Sequence, residues 1–170
     1  MYHQVIQQFA HMLSGLSNQL DKAQAFAESR KFDFQNLLGA RLAPDQFPLT
    51  KQIQSACDSA KFAAARLSGQ EAPSHPDTEQ TYDEFKARIQ HVIDYLRSFK
   101  EEDFAGASER KIVLPFMPDK FTYGNEYLIN FAQANFYFHL THAYAIMRHN
   151  GVELGKMDYI TYLPMKPLEG

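Results

Sequence analysis

Residues 122–151 read TYGNEYLINFAQANFYFHLTHAYAIMRHNG. Leu128, Phe131, Asn135, Phe138, His142 and Ala145 recur at steps of three and four, and Gly151 ends the run. This is the period of an amphipathic helix, and it predicts one from about 122 to 150. Its inward sector is unusual, because an amide and two imidazoles share it with phenyl rings. At about 100° per residue, His139 lies about 40° to one side of Asn135 and His142 about 20° to the other.

Three further stretches show the same period. Residues 1–30 place Ile6, Phe9, Leu13, Leu16, Leu20, Ala23 and Ala27 on one stripe. A second helix is predicted from Pro48, a residue favoured in a first turn. Its stripe is Ile53, Cys57, Ala60, Ala64 and Leu67, and Gly69 stops it. Its small side chains (Ala56, Ala60, Ala63, Ala64, Ala65) let a neighbour approach closely. The third is predicted to open at Asp77, which has capping-box spacing to Gln80, and to bury Tyr82, Phe85, Ile89, Val92, Leu96 and Phe99. Four such stripes predict an all-α, single-domain four-helix bundle over residues 1–170.

Composition narrows the function classes. The chain has 170 residues, 45% hydrophobic and 22% charged, as expected of one globular domain. Lys plus Arg is 17 and Asp plus Glu is 20, so 17 − 20 = −3. No cationic field exists for a dedicated nucleic-acid binder. No apolar run approaches the ~20 residues of a membrane span, and the first residues lack a charged-then-apolar signal segment. One cysteine excludes an internal disulfide and fits a reducing cytoplasm.

The connections differ in character. Residues 33–47 read as a short helical turn around Phe34, Leu37 and Leu38, followed by an Ala-Pro-Asp bend. Residues 70–76 are a polar linker. Residues 109–121 hold Ile112, Val113 and Leu114 before Pro115 and a Pro118-Asp119 turn, which predicts a small extended flap over one end of the bundle. Residues 152–170 are too apolar for a free tail and are expected to dock on the bundle or on a second subunit.

Of seven histidines only His139, His142 and His149 cluster. Imidazoles projecting into a bundle core are how such scaffolds build metal sites. A purely structural reading makes His139 and His142 buried hydrogen-bonding groups, with Asn135 and Tyr137 as partners. His149 suits a helix C-terminus. Cys57 reads as a small hydrophobe, with Asp58 beside it instead of an activating cation. Gly15 reads as room for a close helix crossing. Glu71, Asp77 and Glu79 read as linker caps and solubilising charge. No phosphate-cradling loop, nucleophile elbow, dinucleotide fingerprint or Glu-x-x-His motif is present.

A resemblance adds to this. Asn135-Phe-Tyr-Phe-His139-Leu-Thr-His142-Ala-Tyr-Ala-Ile-Met-Arg148-His-Asn-Gly151-Val, with Gly155-Lys156-x-Asp158-Tyr159, resembles a bacterial family known as a domain of unknown function. Ala40-Arg-Leu-Ala-Pro44-Asp-x-Phe-Pro48-Leu and Arg66-Leu-x-Gly69 belong to the same likeness, which spans nearly the whole chain. That family resembles the DinB-like superfamily of up-down-down-up four-helix bundles, many of whose members are read as metalloenzymes. The resemblance implies a divalent metal, zinc or nickel, held by one histidine on the second helix and a His-x-x-x-His pair on the fourth. His139 takes the place of the last of these. Asn135 stands where the pair's first histidine would be, and residues 48–67 contain no histidine.

Three functional expectations follow. One is a small-molecule-binding or catalytic pocket around Asn135, Tyr137, His139 and His142, closed by the flap. The second is a rearranged metal site with His139 and His142 as ligands. The third is a non-catalytic, homodimeric scaffold or stress-associated protein with a structural polar core.

Overall fold

The first thirty residues contain no proline and one glycine, so nothing interrupts helix α1, Tyr2–Arg30. The computed structural model describes residues 1–168; Glu169 and Gly170, the end of the expected domain and of its docking segment, lie outside it. A short α2 (Gln35–Leu38) precedes α3 (Leu49–Ser68), which Pro48 opens and Gly69 closes in the left-handed region at φ 78°. Helix α4 (Tyr82–Ser98) has its N-cap at Thr81, four residues beyond the predicted Asp77. Its capping box is Thr81 with Glu84, not Asp77 with Gln80. Two 3-10 turns then lead to strands β1 (Lys111–Leu114) and β2 (Met117–Tyr123), an antiparallel hairpin. The predicted flap is this hairpin. The fourth long helix starts after it at Gly124, as α5 (Gly124–Tyr127), a π-turn (Leu128–Ala132) and α6 (Gln133–His149) in unbroken succession. Helix α7 (Lys156–Tyr159) follows.

Side-chain bonds establish the topology. Gln7 near the start of α1 donates to the Leu96 carbonyl near the end of α4, and Lys86 near the start of α4 reaches Asp21, so these helices are antiparallel. Helices α3 and α6 are antiparallel by Ser59–Asn135 and Gln52–His139. Helices α3 and α4 run together: Asp58 meets Arg88, and Tyr95 reaches Glu71 just beyond α3. The order is up-down-down-up, the four-helix bundle that the stripes predict. Parallel α3 and α4 require the chain between them to return the length of the bundle, and residues 69–81 do so along their outer groove.

The Ala-rich face of α3 lies at the centre, with Ala56, Ala60, Ala63 and Ala64 fully buried. On the fourth long helix the stripe is displaced from the predicted one. Phe138 is 52% exposed, and the core positions are Ala132, Phe136, Leu140, Ala143 and Ile146. The π-turn accommodates an additional residue per turn, so core positions fall later than an uninterrupted α-helical period places them. Gly15 makes room for the C-terminal segment rather than for a bundle helix, since a Cβ there would stand 3.1 Å from Thr161 Cγ2. The segment docks on α1 of its own chain: Gln19 donates to the Asp158 carbonyl, Lys22 pairs with the Asp158 carboxylate, and Tyr162 stacks on His11. No helix among the described residues is long and apolar enough to cross a membrane.

Candidate functional site

Gln52, Ser59 and Arg66 recur every seven residues on α3, so a polar stripe runs along an otherwise small, apolar helix. The stripe faces the fourth helix and meets it rung by rung. Arg66 Nη1 donates to the Tyr127 hydroxyl at 3.0 Å. Asn135 Nδ2 donates to Ser59 Oγ at 2.7 Å. His139 Nδ1 donates to Gln52 Oε1 at 2.8 Å. The Gln52 amide nitrogen donates in turn to the Phe47 carbonyl at 3.3 Å, which keeps its oxygen turned toward the imidazole.

That orientation decides the tautomer of His139. With hydrogen on Nδ1, Nε2 carries a lone pair, and no group among the described residues donates to it. The residue is 9% exposed, and burial first, then His142 and Lys51, push its pKa down to about 4. His139 is therefore a neutral, oriented hydrogen-bond acceptor.

It borders a cavity of about 250 Å³ between α3, the fourth helix and the hairpin. Asn135, Ser55, Ser59 and Asp58 line its polar side, and Phe62, Phe131 and Ala132 its apolar side. Pro115 and Phe116, the hairpin tip, form its rim, and the Phe116 ring lies 5.8 Å from that of Phe131. Ile112, 4% exposed, anchors the hairpin to the core. Where the hairpin joins the helix, Gly124 packs so closely on the Ala107 carbonyl that a Cβ would stand 2.0 Å from its oxygen.

The four predicted pocket residues separate. Asn135 and His139 line the cavity. His142 lies one turn beyond it, with Nδ1 donating to the Phe138 carbonyl at 2.6 Å and Nε2 accepting from Gln46 at 3.1 Å. Tyr137 is on another flank of α6, where its hydroxyl donates to Gln8 and its ring meets Phe9, so it takes no part in the cavity. About 100° of rotation per residue separates Tyr137 from its neighbours on the helix.

The donor set does not fit the metal that the resemblance implies. Among the described residues no three His, Cys, Asp or Glu groups come together to hold an ion. Both nitrogens of His142 are engaged, the Asn135 amide is committed to Ser59, and His139 offers one lone pair. A closed zinc site needs four donors, and a catalytic one about three from the protein.

A second polar group, on the α3–α4 side facing the crossover, takes in Asp77 and Glu79, which the sequence alone presents as linker caps and solubilising charge. Arg88, 2% exposed, donates to Asp58 (2.8 Å), Asp77 (2.6 Å) and Glu79 (2.8 Å). Lys61, equally buried, pairs with Asp58 at 2.8 Å and reaches His75 Nδ1 at 3.1 Å. Cys57 is fully buried, and burial pushes its thiol up to about 12, which makes it a packing residue.

A family model described as a domain of unknown function, DUF1993, matches residues 1–160. The chain belongs to the DUF1993 family. The crystal structure of a DinB family member protein from Shewanella denitrificans is similar to this DUF1993 chain throughout. Identity is 49%, the TM-score is 0.92, and the match covers 95% of this chain and 92% of that one. No curated protein matches.

The sequence offers Tyr127, with Tyr123, Tyr137 and Tyr144, as a tyrosine able to line a pocket mouth, and Tyr127 does line this cavity; Gln52, Ser59 and Arg66 do not stand out in it as a site beside the histidines. Their signal is the seven-residue polar recurrence on α3, visible once α3 is set antiparallel to the fourth helix.

Proposed function

We propose that this DUF1993 protein binds a small molecule in the cavity between α3, the fourth helix and the hairpin. The observation that supports it most is the lone pair of His139 Nε2, oriented by Gln52 and left without a partner at the cavity wall. An oriented acceptor without a protein partner at a cavity wall is suited to a ligand's N–H or O–H. At about 250 Å³ the space is below the ~300–1,000 Å³ of drug-sized sites, so the ligand is fragment-sized.

The chemistry favours recognition over proton transfer. A general base works best with a pKa near the operating pH, and burial moves His139 away from it. Its Nδ1 partner is an amide rather than the carboxylate that would stabilise an imidazolium, so nothing here offsets that loss.

The test is a fragment screen by protein-observed NMR with the His139 imidazole nitrogens labelled. Fragments are expected to shift Nε2, and Ala132→Phe, which fills the cavity wall, is expected to abolish that binding. A filled variant that binds fragments as the wild type does would place the site elsewhere and end this reading.

A further inference from the structure

We infer that the ligand of this cavity is a small monocarboxylate with an apolar body, its carboxylate held by Arg66. This rests on the cavity being a ligand site and adds the chemical class of what enters it. Arg66 is half-buried at the end of the cavity opposite His139, its guanidinium 4.9 Å from the Phe62 ring centroid and 5.7 Å from that of Tyr127. The two rings hold it in place, and Nη1 is spent on the Tyr127 hydroxyl. Nε and Nη2 have no acceptor, and no carboxylate pairs with Arg66 among the described residues. An arginine fixed in this way presents a two-pronged edge that matches a carboxylate.

The surrounding charge fits a single negative group. Asp58, the one acidic residue of the wall, is bound by both Arg88 and Lys61. Beyond Phe62, Arg66 and Pro115 the cavity continues into a groove holding Arg110 and Lys111, which also have no carboxylate partner among the described residues. The approach to Arg66 is thus cationic. Arg66 offers one free edge, which matches one carboxylate and leaves the second charge of a dianion such as a phosphate monoester without a partner in the cavity. Between the two polar ends stand Phe62, Phe116 and Phe131, which suit an alkyl or phenyl body. A donor at the ligand's far end would meet His139 Nε2.

The experiment measures dissociation constants for 3-phenylpropanoate, 3-phenylpropanamide and 3-phenylpropylamine, with hexanoate and hexanamide as a second matched pair and phenyl phosphate as a dianion. In the wild type each carboxylate is expected to bind at least about tenfold tighter than its amide or amine, the range of a hydrogen bond to a charged group. Arg66→Gln is expected to erase that preference, and Arg66→Lys to restore part of it. Tyr127→Phe loses the same internal hydrogen bond but keeps the charge, so it is expected to retain the preference. Equal binding of acid and amide, a preference that survives Arg66→Gln, or tighter phenyl phosphate would overturn the assignment. If amides and acids bind alike and Ala132→Phe abolishes both, the cavity is a ligand site and only the carboxylate assignment falls. If none of the probes binds in the wild type, both readings fall.

Discussion

Helix α3 has two polar flanks that solve the same problem in opposite ways. On the crossover side, Lys51, Lys61 and Arg88 face Asp58, Asp77 and Glu79, three cations against three carboxylates, and every one of them is ion-paired, so this side is saturated in charge although buried Arg88 Nε has no acceptor among the described residues. On the fourth-helix side, Gln52, Ser59 and Arg66 meet neutral partners, and free donors and acceptors remain at His139 and Arg66 beside empty volume. Saturation is what a structural device needs, since a buried charge with no partner costs several kcal/mol. Unsaturation beside a cavity serves no structural end. The contrast, more than any single residue, separates scaffold from site.

The largest effect that could break this contrast lies on the saturated side. Arg88→Met takes one of two cations from Asp58 and from Asp77 and removes the cation paired with Glu79, and it is expected to cost about 3 kcal/mol or more in urea unfolding. A loss below about 1 kcal/mol would make the cluster equivalent to exposed ion pairs. On the open side Gln52→Leu removes the acceptor of His139 Nδ1 and is expected to cost about 1–3 kcal/mol. The double variant Gln52→Leu with His139→Leu replaces both partners, and its stability is expected within about 1 kcal/mol of the wild type. If the double variant is the less stable of the two, the pair is structural after all.

The smallest effect is in pH. His139 and His75 both lie below the ordinary 6.5, His139 at about 4; burial is the main cause for each, seconded by His142 for His139 and by Lys61 for His75. The unfolded chain therefore binds these protons first. Their contribution to stability is complete above about 6.5 and is lost as pH falls, for His139 down to about 4. For Asp77 and Glu79, burial raises the pKa but is outweighed, at Asp77 by hydrogen bonds from Lys51 and Arg88 and at Glu79 chiefly by Arg88. Both lie below their ordinary 3.8 and 4.5, so their contribution is lost only as pH falls below those values. His139→Gln is expected to flatten the stability curve between pH 4 and 6.5, with His75→Gln removing the remainder, and Arg88→Met to flatten the limb below 4.5. An unchanged upper limb in His139→Gln would show that its imidazole titrates as in water.

Much of the fold was legible. The stripes of α1, α3 and α4 are buried as their periods predict, except for half-buried Tyr82 at the start of α4, and Pro48 and Gly69 bound α3. The start of α4 was misplaced because Asp77 and Gln80 imitate a capping box, while Asp77 in fact turns at φ 55° to reach Lys51 and Arg88. The stripe of α6 was misplaced because a π-turn has no signature in hydrophobic period. Of the pocket, Asn135 and His139 were legible as polar groups on an inward sector. Tyr137, about 200° around the helix from both Asn135 and His139, is separable from them by period alone, whereas the polar recurrence on α3 acquires meaning only against an antiparallel partner.

The π-turn also bears on how the two ends of the cavity come to face each other. Tyr127 and His139 are twelve residues apart, and an unbroken α-helix would leave them about 120° out of line. Absorbing one residue in the wide turn reduces the mismatch to roughly 20°. Deleting a single residue within Leu128–Ala132 would let the helix wind regularly and keep Tyr127 within about 20° of the imidazole, whereas regular winding with all the residues in place would swing the hairpin and Tyr127 about a third of a revolution away from it.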